Sequence, residues 1–397
     1  PIFAPEDAFL PVERYEAEVP FSELTMQLAG ELSMLAPFGE GNPMPVFLTE
    51  NALVKRLQRI GDEGKHLRLT LEQGNQYAQG VWFYGGDRFA QINDYGRCGL
   101  LYVPTINEYN GRQSLQVELR AMRPDPPPDI AKYLAARKEK FIDAICANIR
   151  YNKIHAAVPY SVVDADDFLL AQARGSIGGL LVVCMTPAGA QRFLRLAEQA
   201  GLYAGMEIGF ARNAPQPCAY HAAVLAPELD ALTIRRFRKV LVYDTPLTLG
   251  MLDAISALAP DAQLAVGRPV PGDAEELLPA LQLERAAFIP FYQALRREQT
   301  GFYNREALLD YFTRETRAPR HTCALAADIA LELGFLSGGE GSSLRFVPPE
   351  GRQELSQSAT FTILASVAQM HEYAIQKTRC NEAGAQTHQH HHEEEQP

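Results

Sequence analysis

The sequence predicts a multidomain chain: a small all-β, OB-like barrel, then an α/β parallel-sheet domain, then a winged-helix-like segment. Three observations carry this. Between Met44 and Arg123, short apolar and polar runs alternate between turn residues, the period-two pattern of strands with one buried face. From about Val162 to Pro290, continuous apolar runs alternate with helical stretches, as in a parallel sheet buried on both faces. From Ile289 to Val347, three helical stretches precede two short strand candidates.

The elements follow in order. Residues 1–43 form an acidic helical connector, with Arg14 the only base up to Asn42. Leu24, Leu28, Leu32 and Leu35 recur at helical spacing, and Ser22 with Glu23 marks the start. The breaker run Pro37-Phe38-Gly39-Glu40-Gly41-Asn42-Pro43 must end that helix. The barrel spans 44–123. In it, Leu67, Leu69 and Leu71 alternate with Arg68 and Thr70, a strand covers about Gly80 to Tyr84, and Gly85-Gly86-Asp87 turns. Another strand opens at Leu101-Tyr102-Val103, with Pro104 at its edge or end. Asn110-Gly111 between two alternating runs predicts a type I′ hairpin, whose central residues need positive φ. About five short strands in this length suit a small barrel or sandwich, the OB-fold included.

Residues 124–129, Pro-Asp-Pro-Pro-Pro-Asp, form a Pro-rich linker. The α/β domain covers 130–287. It opens with a helix from Ile130 to Arg150 that turns Tyr133, Leu134, Phe141 and Ile145 inward. Strand runs at 179–184, 222–225, 240–243 and 263–266 alternate with helices near 187–199 and 248–258. The winged-helix-like segment, 288–350, has helices at Phe291–Arg297, Arg305–Thr316 and Thr322–Leu333, then Gly338–Gly341 between two strands. A C-terminal helix occupies 351–380, chiefly Phe361–Lys377, and 381–397 reads as a disordered tail.

Composition bounds the function. Apolar residues make up 47% of the 397, enough for real cores. No run of about 18 apolar residues predicts a membrane helix. The six cysteines are scattered without C-x-x-C spacing, which argues against a zinc ribbon and fits a reducing, cytoplasmic setting. The net charge of −11 argues against nucleic-acid affinity over the whole surface, but not against a local basic groove. The barrel is such a locale, with ten bases against eight acids and Trp82, Phe83, Tyr84, Phe89, Tyr95, Tyr102 and Tyr109 among them. Single-strand binding needs cations along phosphates and flat rings under bases. Lys65, Arg68, Trp82, Tyr84, Arg88, Tyr109 and Arg112 are the groove candidates. The alternative is that the rings fill the barrel and the bases are ordinary surface. Trp82 or Phe83 must point inward, because neighbours on a strand face opposite sides.

Other motifs are weighed the same way. Pro37, Phe38, Gly39, Gly41, Asn42 and Pro43 could cradle a phosphate on backbone N–H groups, but prolines remove donors and favour a structural turn. Val240-Leu241-Val242-Tyr243-Asp244 looks like a strand ending in a magnesium-binding Asp, yet no P-loop accompanies it. Asp164, Asp166 and Asp167 read as a metal cluster or as caps of the next helix. Arg314, Arg317, Arg320 and His321 gather where a third helix would enter a DNA groove, or where it would meet a protein. The histidines at 388 and 390–392 lie in the tail. No catalytic residue or metal site can be argued from spacing.

The stretch 31–47, Glu-Leu-Ser-Met-Leu-Ala-Pro-Phe-Gly-Glu-Gly-Asn-Pro-Met-Pro-Val-Phe, resembles the RecJ family of single-strand-specific exonucleases. So do Val81-Trp82-Phe83, 106–112 and 119–124, and more weakly Leu355–Phe361. The region from the linker to about Ala359 is similar to the extra C-terminal domain of RecJ proteins of Firmicutes-type bacteria. The family's catalytic half carries D-H-H and G-G-H signatures, and this chain contains neither string. The resemblance therefore implies the C-terminal portion of a 5′–3′ single-stranded-DNA exonuclease of repair and recombination, with Pro1 a truncation point. It implies Mn²⁺ or Mg²⁺ for the intact enzyme and no cofactor in this chain. The implied partners are single-stranded DNA, single-strand-binding protein and the missing catalytic core, with no membrane. The rival expectations are an α/β enzyme domain for a small molecule, for which Thr186 and Asp244 at the strand ends make no convincing polar set, and an interaction scaffold that binds no DNA.

Overall fold

The computed structural model describes residues 14–89, 92, 97–175, 179–210, 221–281, 285–298, 300–338, 343–349, 351 and 353–393, with backbone alone at 109, 174, 175, 204 and 383–393. Two apolar cores organise it. One runs from Val19 to Met122, the other from Ile130 to Ala374.

The first core fills a closed barrel of five strands: β2 (Phe47–Ile60), β3 (His66–Gln73), β4 (Gln76–Trp82), β5 (Cys98–Tyr109) and β6 (Arg112–Pro124). A two-residue β1 (Ala17–Glu18) runs parallel to the start of β2. The strands close in the order β2-β3-β4-β6-β5, and β5 returns to β2. Leu67, Leu69 and Leu71 are fully buried, as their alternation requires. Asn110 and Gly111 have φ of +50° and +73°, so the β5–β6 hairpin turns as expected. Pro104 lies inside β5 instead of ending it, opposite Val117. It is tolerated because the β2 pairing stops at Tyr102, so its missing N–H faces an open edge.

The helix before the barrel spans Met26–Ser33 and is capped by Thr25, whose hydroxyl accepts from the Leu28 N–H at 3.1 Å. Ser22 is therefore not its start. Leu24, Leu28 and Leu32 pack on the barrel core, whereas Leu35 is exposed. In the breaker run, Gly39 and Asn42 exchange both backbone hydrogen bonds, and the Asn42 amide donates to the Leu35 and Pro37 carbonyls. Two N–H groups of the supposed phosphate cradle are thus spent on the turn itself.

The second core holds a six-stranded parallel sheet, with β7 (Ser161–Val163), β8 (Leu180–Cys184), β9 (Met206–Phe210), β10 (His221–Leu225), β11 (Lys239–Val242) and β12 (Gln263–Gly267). Its order is β7-β12-β11-β8-β10-β9. The fully buried β8 and β10 match continuous apolar runs. The edge strands β7 and β9 escape a sequence reading because one is three residues long and the other carries Glu207 and Gly209. Ile130–Arg150 is two helices, Ile130–Ala135 and Lys138–Asn148. Arg137 sits at their break with its guanidinium 3.9 Å from the centre of the Tyr133 ring.

Three helices follow, Arg285–Arg297, Arg305–Thr316 and Arg320–Glu332, with strands β13 (Leu336–Ser337) and β14 (Arg345–Phe346) paired antiparallel. The first begins six residues before Phe291 and contains Pro290. Gly339–Gly341, the expected wing turn, lie outside the described residues. These helices share one continuous core with the sheet. The last helix runs from Ala359 to Glu393, where the sequence suggests disorder from residue 381. It is anchored by the Ser358 cap on Phe361 N–H, by buried His371 against the Pro246 carbonyl, and by Glu382 with Arg268 at 2.6 Å.

The linker is docked rather than free. Asp125 accepts from the Asn51 N–H at 2.9 Å, donates its own N–H to the Arg97 carbonyl, and is followed by buried Pro127. Burial, with Glu50 nearby, raises the Asp125 carboxyl to about 6. Its native pKa therefore exceeds the unfolded value of about 3.8. The native state keeps the proton between these values, and stability falls as pH rises through that window. For a partly exposed carboxyl the loss is expected to be about 1 kcal/mol. Asp125→Asn should flatten this step, read by urea unfolding followed at Trp82 from pH 4 to 7. An unaltered step in the variant would assign it elsewhere.

Candidate nucleic-acid interface

The barrel wall sorts the predicted groove residues by strand parity. Leu67, Leu69 and Leu71 point inward, so Arg68, Thr70 and Glu72 point outward. Register places Gln58 beside Arg68 and Arg56 beside Thr70 on β2, and Val81, Gln79 and Tyr77 beside the same positions on β4. Arg56 and Arg68 have no carboxylate partner among the described residues, whereas Lys55, Arg120 and Arg123 pair with Glu72, Glu118 and Glu50. Two free cations therefore lie on one outer face, beside an exposed ring at Tyr77. Tyr77 is absent from the sequence-based set. Its outward parity follows only from the register with β3.

At the end of β4 lies an open aromatic cluster. Phe83 and Tyr84 are 48% and 81% exposed. Both meet the His66 ring edge-on, at 5.4 and 5.0 Å between centres. The His66 Nδ1 accepts the Tyr84 N–H at 3.0 Å, which fixes the imidazole between the two rings. Gly86 braces the neighbouring β2–β3 loop. Its N–H donates to the Lys65 carbonyl at 3.0 Å, and a Cβ there would lie 2.2 Å from the Gly64 carbonyl oxygen. Phe83 and His66, like Tyr77, are ring-bearing residues that the predicted set left out. Their signal is the same parity argument, once Trp82 is known to face inward.

Trp82 is that inward residue. It is 7% exposed within the barrel core, so it is no base-stacking platform. Arg88 lies over its ring at 5.2 Å, and Arg59 lies over Phe89 at 5.1 Å. Arg88 thus closes the barrel end instead of lining a groove. Lys65 is exposed but paired with Glu63 at 3.1 Å, which weakens it as a phosphate ligand. Arg112 is exposed and unpaired among the described residues, at the hairpin tip. Because β4 and β6 run parallel with Gly80 opposite Val117, Arg112 lies toward the start of β4 and Tyr84 beyond its end. The Tyr109 side chain and Tyr95 lie outside the described residues. Lys65, Arg68 and Tyr84 thus share one region with Arg56, His66 and Phe83, while Arg112 marks the far end of the same wall.

The family model of the RecJ OB domain matches residues 15–121. Residues 15–121 are thus similar to the RecJ OB domain. The chain is 29% identical over 115 residues to the single-stranded-DNA-specific exonuclease RecJ of Bacillus subtilis (strain 168), covering 29% of this chain and 15% of that one. Two solved structures of RecJ from Thermus thermophilus are also similar. The Mg²⁺ complex matches at 18% identity over 50% of this chain and 27% of that one, with a TM-score of 0.21. The Mn²⁺ complex matches at 14% identity over 90% and 35%, with a TM-score of 0.24. The chain therefore spans a small part of the length of each relative.

The other candidates resolve differently. Asp244 is fully buried, and its carboxylate accepts from the Met185 N–H at 2.8 Å, the Thr186 N–H at 2.7 Å and the Thr186 hydroxyl at 2.5 Å. Burial still raises it to about 6. Thr186 in turn caps the helix Pro187–Gln199. Thr186 and Asp244, the polar residues at these strand ends, are thus bonded to each other. Asp164 caps the helix Ala165–Gly175, accepting from the Asp166 and Asp167 N–H groups at 3.1 Å. Asp166 accepts from the Tyr243 hydroxyl. Arg320 is held by Glu306 and Asp310, and His321 is buried, so acids neutralise the start of the third helix. Among the described residues, no three His, Cys, Asp or Glu side chains converge to hold a metal ion. No described helix is long and apolar enough to cross a membrane.

Proposed function

We propose that this chain is the strand-gripping and accessory portion of a RecJ-like 5′–3′ exonuclease, and that its barrel binds single-stranded DNA. The observation that supports it best is the joint exposure of Phe83 and Tyr84 beside the unpaired Arg68 and Arg56 on a barrel similar to the RecJ OB domain. Flat rings stack bases regardless of sequence, and free guanidinium groups hold the phosphates between them. The barrel would feed the strand to a catalytic core outside this chain. The α/β and winged-helix-like parts would brace the enzyme or recruit partners such as single-strand-binding protein. The chain alone would cut nothing, and degradation of labelled single strands by the purified protein with Mn²⁺ would contradict that.

Fluorescence anisotropy with labelled oligothymidine tests the grip. Phe83→Ala/Tyr84→Ala is expected to cost about 1–3 kcal/mol per lost stacked base. Arg56→Gln/Arg68→Gln should lower the slope of log affinity against log salt by about 1.4, roughly 0.7 for each phosphate contact. Affinity and slope that match the parent in both variants would rule out this face.

A further inference from the structure

We propose that the α/β domain carries a second polyanion-binding surface, formed by Arg235, Arg236, Arg238 and Lys239, which takes the sugar–phosphate backbone of nucleic acid irrespective of strandedness. Four of the five residues 235–239 are basic in a chain of net charge −11. Local structure presents them outward. The Phe237 N–H donates to the Ile234 carbonyl at 3.1 Å, closing a tight turn with Arg235 and Arg236 at its centre. Ile234 and Phe237 are each 1% exposed, so both ends of the turn are pinned in the core while both central arginines stand in solvent. Arg235 has no ion-pair partner among the described residues. Arg238 is exposed and pairs with exposed Asp261 at 3.5 Å, a contact that salt or a phosphate readily replaces. Lys239 opens β11 and hydrogen-bonds the Gln172 side chain.

The fold sets this turn on the side of the sheet that meets the barrel. All six strands are parallel, so the segments leading into β9 and β11 lie on one edge. Barrel strand β6 contacts β9 and the helical turn Leu202–Ala204 that leads into it. The order β11-β8-β10-β9 puts the starts of β11 and β9 three strand spacings apart, roughly 14 Å. Nucleic acid near the barrel is thus close to positive charge on a second domain.

The chemistry of the turn also says what it reads. Its one ring, Phe237, is buried beneath the Arg236 guanidinium at 4.4 Å. With no open ring beside them, these cations offer no platform for stacking unpaired bases, and phosphate contacts are available from single strand and duplex alike. The barrel differs, because its open rings require unpaired bases. The surface rests on the barrel reading for proximity alone, and a duplex probe separates the two.

The test uses the full chain with a labelled short duplex and labelled oligothymidine across a salt series. Arg235→Gln/Arg238→Gln should weaken duplex binding at low salt by about fivefold or more and lower its salt slope by about 1.8, with the melting temperature unchanged. Phe83→Ala/Tyr84→Ala should leave duplex binding intact. Duplex affinity and slope unchanged in the arginine variant overturn the surface, whatever the barrel variants do. Loss of duplex binding in the arginine variant, with oligothymidine indifferent to the barrel variants, upholds the surface and overturns the barrel reading. An arginine variant that loses only binding to poly-glutamate overturns the proposal in favour of an acidic protein partner.

Discussion

Trp82→Ala is expected to destabilise the barrel by about 3–5 kcal/mol, the range for removing a large buried aromatic side chain. The ring lies in the core with Leu67 as its cross-strand neighbour, and Arg88 covers it from the barrel end. Truncation leaves a cavity and strips Arg88 of its ring. Trp82→Phe keeps most of the apolar volume, so it should lower stability less and leave oligothymidine affinity near that of the parent. Circular dichroism during urea unfolding reads the first effect, and anisotropy reads the second. Trp82 is the only tryptophan, so in the parent its emission reports on the barrel alone. A Trp82→Phe variant that melts like the parent yet binds tenfold more weakly would return Trp82 to the binding face.

Asp244→Ala is expected to cost the α/β core on the order of 3 kcal/mol. Two backbone N–H groups and a hydroxyl lose their acceptor where water does not reach, and each buried orphan costs about 1–3 kcal/mol. Loss of the raised-pKa carboxyl offsets part of this at neutral pH, because a buried charge is then no longer desolvated. Asp164→Ala, which removes a partly exposed cap, should cost only about 1 kcal/mol. Equal stabilities for the two variants in urea unfolding would mean that Asp244 is no keystone. Below neutrality a second effect enters. Burial lowers the pKa of His221, His321 and His371, so their contribution is present above about 6.5 and is lost as pH falls through their native values.

Local pattern was enough wherever a residue's role follows from its neighbours in the chain. The alternation of Leu67, Leu69 and Leu71, the Asn110-Gly111 turn and the apolar runs of β8 and β11 all read directly, because backbone geometry fixes period and turn type. Edge strands β7 and β9 did not read, since pairing to one neighbour demands little of their side chains. Residues 31–47 carried the family resemblance, and the RecJ OB match covers them. The site was legible as a composition, cations among rings, but not as an assignment. Either Trp82 or Phe83 had to face inward, and only closure of the barrel through β4–β6 decided that it is Trp82.

The sequence by itself determined the barrel and the parallel sheet after it, the Asn110-Gly111 hairpin and an excess of base over acid in the barrel. Tertiary structure alone decided which of those charges and rings remain free. Arg88 and Arg59 lie over rings, Lys65, Arg120 and Arg123 meet carboxylates, and Arg56 and Arg68 do not. It likewise turned Asp244 and Thr186 toward each other. The reason is one of range. Period and turn type arise within a few residues, whereas the availability of a charge or a ring depends on what distant segments bring within about 4 or 5 Å of it.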